Sequence, residues 1–209
     1  GLTSSPVCFP SGGRWRMAVG FQVEHAFGSL VGSGIRDAAL FGDVSGEILA
    51  YLVGRQVALR SLGSLETTFV VESDRVQAVS ALATSRNRHF LAVCERCSPA
   101  PLTQVSVYDL TAFEASGQPE QTLEEFGGQV GHLVSCAFSC DEASSLLCVA
   151  SETPQLLLVV LEWRSNVVLG RCRLPCDPGH VAFSPLDMST VSVSGSSFLR
   201  LWSTNGAES

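Results

Sequence analysis

The chain has 209 residues, with 13 Lys and Arg against 20 Asp and Glu, a formal net charge of −7 and a pI of about 5.0. That balance lacks the basic face needed to bind a nucleic-acid backbone. Hydrophobic residues make up 45%, charged residues only 16%, and mean hydropathy is +0.26, yet no run approaches the roughly 18–20 apolar residues of a membrane helix. The expectation is a core-rich soluble domain with neither nucleic acid nor membrane as partner.

Residues 1–16 show no periodicity and carry turn formers. Met17-Ala-Val19 reads as a natural start, so residues 1–16 are expected to be an extension without a fold of their own. Phe21–Phe27 alternates apolar and polar residues, the period-2 sign of a half-buried strand. Ala38-Ala-Leu-Phe41 and Ile48-Leu-Ala-Tyr-Leu-Val53 follow. Gly54-Arg55 is a two-residue gap before Val57-Ala-Leu-Arg-Ser-Leu62, a hairpin signal. Thr67-Thr-Phe-Val-Val71 adds a fourth run, which completes a four-stranded antiparallel unit.

Further units are expected from Val76 to Phe126, from His132 to Leu174, and from His180 to just past Trp202, the last with three strands. Within them, Val79–Leu110, Val134–Trp163 and Val181–Trp202 read alike. Each opens on an apolar alternating run ending in a polar turn, gives a second run, and closes on a third run ending in an aromatic: Tyr108, Trp163 or Trp202. The closing positions Leu62, Leu110, Trp163 and Trp202 are 48, 53 and 39 residues apart, straddling the ~40–50 residues of a propeller blade. Phe69, Phe90, Phe138 and Phe183 are read as packing between blades. Leu156–Trp163 is read as a blade strand covered on both faces rather than an exposed edge, because its apolar run is continuous. Residues 205–209 are expected to be a disordered tail.

Eight cysteines include a C-x-x-C at Cys94/Cys97 and C-x3-C pairs at Cys136/Cys140 and Cys172/Cys176. Cys94 and Cys136 fall inside apolar strand patterns, where cysteine acts as a small hydrophobe. They are read as core residues in a reducing compartment rather than as zinc ligands or a disulfide framework. No metal or cofactor is expected.

Gly131-His132 precedes the third unit's first strand and Gly179-His180 the fourth's, while Tyr108-Asp109, Glu162-Trp163 and Leu201-Trp202 hold the closing position. At these places the chain resembles the WD-repeat family. The family's Trp-Asp pair is intact nowhere, and Thr153 and Ser196 stand near where its buried Asp would lie. His132 and His180 are therefore expected to be packed or surface histidines rather than members of a buried polar network. Met17-Ala-Val19, His25-Ala-Phe-Gly28, Asn87–Val93 with Glu95, Val107-Tyr-Asp-Leu110, Ala137-Phe-Ser-Cys-Asp141 and Phe183-Ser-Pro-Leu-Asp187 occur in that order. This order resembles the start of WD-repeat proteins of motile cilia, over roughly residues 17–204. The resemblance implies propellers first and a long coiled coil after. It also implies a cytoplasmic, cytoskeletal location at the ciliary axoneme, and axonemal or inner dynein arm components as protein partners.

Catalytic patterns are weak. No Gly-x-Ser-x-Gly elbow is present, and Gly32-Ser-Gly34 and Gly127-Gly128 lack the Lys and helix of a phosphate loop. Nothing in the spacing selects a cysteine to pair with His25, His89, His132 or His180. No catalytic, cofactor or metal residue is assigned, and a small Cys- or Ser-dependent hydrolase is the rival from another class. The expected architecture is all-β: a WD-like propeller segment of about four blades in an open crescent, spanning 17–204. Phe21–Phe27 would be left beside the open crescent or would pair with the fourth unit to close a ring. The expected function is a non-catalytic protein-interaction scaffold, axonemal, or alternatively a general adaptor in ubiquitin ligation or trafficking. Gly42–Gly46, Cys97–Pro101, Glu114–Pro119 and Cys176–Gly179 are the candidate docking loops.

Overall fold

A computed structural model describes residues 38–43, 46–70, 74–99, 102–111 and 118–204. The expected strand Phe21–Phe27 and both terminal segments lie outside them. Every regular element among the described residues is a β-strand. The first unit holds β1 (Ala38–Asp43), β2 (Gly46–Val53), β3 (Gln56–Ser61) and β4 (Thr67–Phe69). The second holds β5 (Val76–Thr84), β6 (Phe90–Cys97), β7 (Leu102–Asp109) and β8 (Gln121–Leu123). The third holds β9 (Leu133–Phe138), β10 (Leu146–Ser151), β11 (Leu157–Glu162) and β12 (Val167–Arg173). The fourth holds β13 (Pro178–Phe183), β14 (Thr190–Gly195) and β15 (Leu199–Ser203). Each unit is one antiparallel sheet with its strands in sequence order, and the fourth has three.

The turns follow from local chemistry. Gly54 takes φ 64° at the first position of the two-residue β2–β3 turn, a conformation that glycine adopts without steric cost. The turns between first and second strands share a serine device. Ser85 Oγ accepts from Phe90 N at 2.9 Å, and Ser139 Oγ accepts from Leu146 N at 2.9 Å. Each serine hydroxyl in turn donates to a side chain two residues on, Asn87 or Asp141. In the fourth unit Ser184 Oγ accepts from Leu186 N, while Asp187 caps Ser189 and Thr190. Ser, Asn and Asp satisfy turn backbone groups in this way because their short side chains reach the chain two or three residues on.

Strand alternation then builds a core between each pair of neighbouring sheets. On β6, Leu91 and Val93 face the first unit, while Phe90, Ala92 and Cys94 face the third. On β11, Val159 and Leu161 face the second unit, while Leu158 and Val160 face the fourth. These four β11 side chains, Leu158 to Leu161, are buried, so the apolar run is covered on both faces as expected. Three clusters result, joining first to second, second to third, and third to fourth sheet. Fully burying each such Leu or Val is worth about 1.5–3 kcal/mol, so the units hold together through their faces. Register shifts adjust individual side chains. Between Val160 and Leu161 the pairing with β12 skips Leu169, so Val168 packs toward the second unit and Cys172 toward the fourth.

The first strands of successive units adjoin one another, β1 by β5, β5 by β9 and β9 by β13. They form the inner side of an open, propeller-like crescent of four sheets, the architecture expected from the repeat. Phe90, Phe138 and Phe183 pack between units. Phe69 does not: it is 48% exposed. Its partner across the ladder is Ala58, whereas Val57 and Leu59 carry the face turned to the second unit. Phe69 therefore points away from the neighbouring sheet, from a three-residue edge strand.

Candidate interaction face

Antiparallel order sends successive strands in opposite directions, so each unit's second-to-third turn emerges on the same side as its link to the next unit. Of the candidate loops, Cys97–Pro101 (β6–β7) and Cys176–Gly179 (β12–β13) lie on that side. The described residues of Gly42–Gly46 (β1–β2) and Glu114–Pro119 (β7–β8) lie on the other; 44–45, 100–101 and 114–117 are outside the described residues.

The side with the links carries a cleft of about 550 Å³ to which all four units contribute. The first unit supplies Leu52, Gly54 and Arg55, and the second supplies Gln77, Ser80, Arg96 and Thr103. The third supplies His132, Val134 and Glu152, and the fourth supplies Asp177 and Gly179. The charges are sorted: arginines come from the first two units, carboxylates from the last two.

Several hydrogen bonds fix this face. Ser98 N donates to Arg75 O at 2.7 Å and Glu152 N to His132 O at 3.0 Å, tying each second-to-third turn to the entry of its own unit. Across the third-to-fourth boundary, Asp177 Oδ1 accepts from the Thr153 hydroxyl and backbone N–H, each at 2.7 Å. Those two donors hold the Asp177 carboxyl below the usual carboxylate range. Buried Ser135 Oγ accepts from Val181 N at 3.0 Å across the same boundary. Thr153 and Ser196 do lie in the turns before third strands, as read from sequence. The Thr153–Asp177 link escaped that reading, because its partners are 24 residues apart. His132 is in no polar network there: its Nδ1 is buried without a hydrogen-bond partner.

A second recess of about 480 Å³ is lined by Arg75, Glu95, Gln104, Ser106 and Glu124, among others. Buried Glu95 accepts from Gln104 Nε2 at 2.7 Å and Ser106 Oγ at 2.6 Å. The sequence held a signal for this group: polar residues at every second position of β7, with Gln104 directly opposite Glu95.

The seven cysteines among the described residues are free thiols. Cys94 and Cys136 meet across the second-to-third boundary inside an apolar cluster, and the Cys136 thiol and burial together push the Cys94 thiol well up. Burial pushes Cys97 up to about 11. A raised thiol pKa suppresses the thiolate that nucleophilic or metal chemistry needs. Cys94 packs against the third unit, and strand alternation turns Cys97 to the opposite face of β6. The two thiols of the C-x-x-C thus lie on opposite faces of the strand.

No family model matches the chain. The chain is similar to mouse cilia- and flagella-associated protein 57, with 27% identity over 158 residues. The match takes in 74% of this chain and spans 12% of that relative's length.

Proposed function

We propose that the chain is a non-catalytic docking platform of the motile cilium, serving the axoneme and the assembly or regulation of inner dynein arms. The observation that carries the ciliary reading is the similarity to the mouse cilia- and flagella-associated protein. The platform reading is supported by a cleft assembled from turns and links of all four units on sheets that pack face to face. Backbone hydrogen bonds tie the second-to-third turns of the second and third units to the entries of those units, which helps the cleft keep its shape. Its sorted charges suit a protein partner that presents acidic groups to Arg96 and basic groups to Glu152 and Asp177.

The test is expression of the tagged chain in multiciliated cells, with axonemes isolated after detergent extraction. Retention along the axoneme and co-purification of inner dynein arm subunits are expected. Exclusion from cilia overturns the ciliary reading. Labelling by a serine- or thiol-directed activity probe that depends on the native fold overturns the non-catalytic one.

A further inference from the structure

The hairpin between β3 and β4 closes on the loop Leu62-Gly63-Ser64-Leu65, where Ser61 N donates to Glu66 O and Leu65 N to Ser61 O, each at 3.0 Å. Antiparallel order places this loop on the side of the crescent away from the cleft. Leu65 holds φ at 61°. That is the left-handed region, where a bulky side chain crowds its own backbone and hairpin loops use Gly or Asn. Gly63 lies two positions earlier, with φ outside that region. Leucine at 65 therefore works against its own turn.

Burial does not offset that cost. Leu156 also has a positive φ, 51°, but its side chain packs against the core between the third and fourth units. Leu65 is 57% exposed, and Leu62 and Phe69 on the same hairpin are 41% and 48% exposed. A side chain that is both strained and bare stabilises neither a turn nor a core. Strain of this kind collects where a chain meets a ligand.

We infer that the tip of this hairpin is a docking surface, from which Leu65, with Leu62 and Phe69, enters an apolar pocket of a protein partner. The tip is ordered before the partner arrives. Ser64 N donates to Ser61 Oγ and Glu66 N to Ser64 Oγ, each at 3.3 Å, so little conformational freedom is lost on binding. Glu66 sets the chemistry of the rim. It follows Leu65, is exposed, and its carboxylate accepts from the Ser64 hydroxyl at 3.4 Å. The pocket that fits this tip is apolar inside, with a basic group at its edge.

This inference rests on the docking reading and adds to it a surface on the opposite side from the cleft. The experiment measures co-sedimentation of the purified chain with demembranated axonemes, alongside its melting temperature. Saturable binding is expected for the unchanged chain. Leu65→Asn places a residue that tolerates the left-handed region at the strained position. It should weaken binding about tenfold or more while raising the melting temperature by about 2–4 °C. Phe69→Thr should weaken binding several-fold with little change in melting. Binding that survives either substitution overturns the tip and leaves the docking reading standing. A clear fall in melting temperature for Leu65→Asn also overturns it, because Leu65 would then serve the fold. So does a lower apparent mass of Leu65→Asn in sedimentation with axoneme binding intact, which would make the occupant a second copy of this chain. Absence of binding by the unchanged chain overturns the docking reading, and the tip with it.

Discussion

The third and fourth units carry the same strand pattern in opposite surroundings. In the third, β11 lies between β10 and β12, and sheets pack on both its faces. Trp163 is wholly buried, its indole N–H donates to Ser144 O at 2.7 Å, and its ring meets Phe90 and Phe138. In the fourth, β15 is the edge strand among the described residues. Trp202, Val191 and Val193 pack toward the third unit, while Leu199 and Leu201 on the other face are each 71% exposed. Identical periodicity thus yields a core in one place and a bare apolar face in the other. The pattern chooses which residues share a face; a neighbouring sheet decides whether that face is dry.

The sharpest way to break this comparison is truncation of the two closing tryptophans. Trp163→Ala should cost about 3–5 kcal/mol, the range for emptying a large buried aromatic site. Trp202→Ala should cost about 1 kcal/mol, because its ring is half-buried and its N–H has no partner to lose. Urea unfolding of both variants tests this, and equal losses would refute the contrast. Next in size, Leu161→Ala should destabilise by about 2–5 kcal/mol, whereas Leu201→Ala should stay within about 0.5 kcal/mol.

Exposed leucines on the outer face of a sheet favour self-association. The double change Leu199→Lys with Leu201→Lys should lower the apparent mass in sedimentation at high concentration and leave the unfolding midpoint in place. A lower midpoint would mean that this face is covered. The third-to-fourth boundary is probed by Ser135→Ala, which strands the buried Val181 N–H and should cost about 1–3 kcal/mol.

The smallest effect is the pH response. Asp141, Asp177 and Asp187 all sit below the usual carboxylate range. Burial works to raise Asp141, but the Ser139 hydroxyl and the Ser145 amide and hydroxyl outweigh it. The Thr153 hydroxyl and amide lower Asp177, and the Ser189 amide and hydroxyl with the Thr190 hydroxyl lower Asp187. A carboxyl with a depressed folded pKa adds stability above its unfolded value of about 3.9 and loses it as pH falls through the folded pKa. Urea midpoints should therefore hold from pH 7 to about 4 and decline below. Asp141→Asn should flatten that decline.

Much of the fold was legible in the residues. The order of short apolar runs located all four sheets, including the three-stranded last one, because a period of two and a polar turn are local properties. The polar turns that end the first runs, at Ser85 and Ser139, were legible for the same reason. Phe69 was misread because a strand's outward and inward residues look alike until the neighbouring sheet is placed. The pairing of Thr153 with Asp177, and of Ser135 with Val181, was equally hidden, since each joins positions on different sheets. Glu95 is intermediate: its polar partners were spaced along β7 in plain view, but only the strand register made them meet.

The sequence by itself determined the strands, their antiparallel order and the two-faced alternation, all set by backbone geometry and side-chain polarity over a few residues. The tertiary structure decided which faces became cores and where the four-unit cleft opened. Those outcomes depend on how sheets stack across 20 to 50 residues of chain, and burial, unlike periodicity, is a property of the neighbour as much as of the strand.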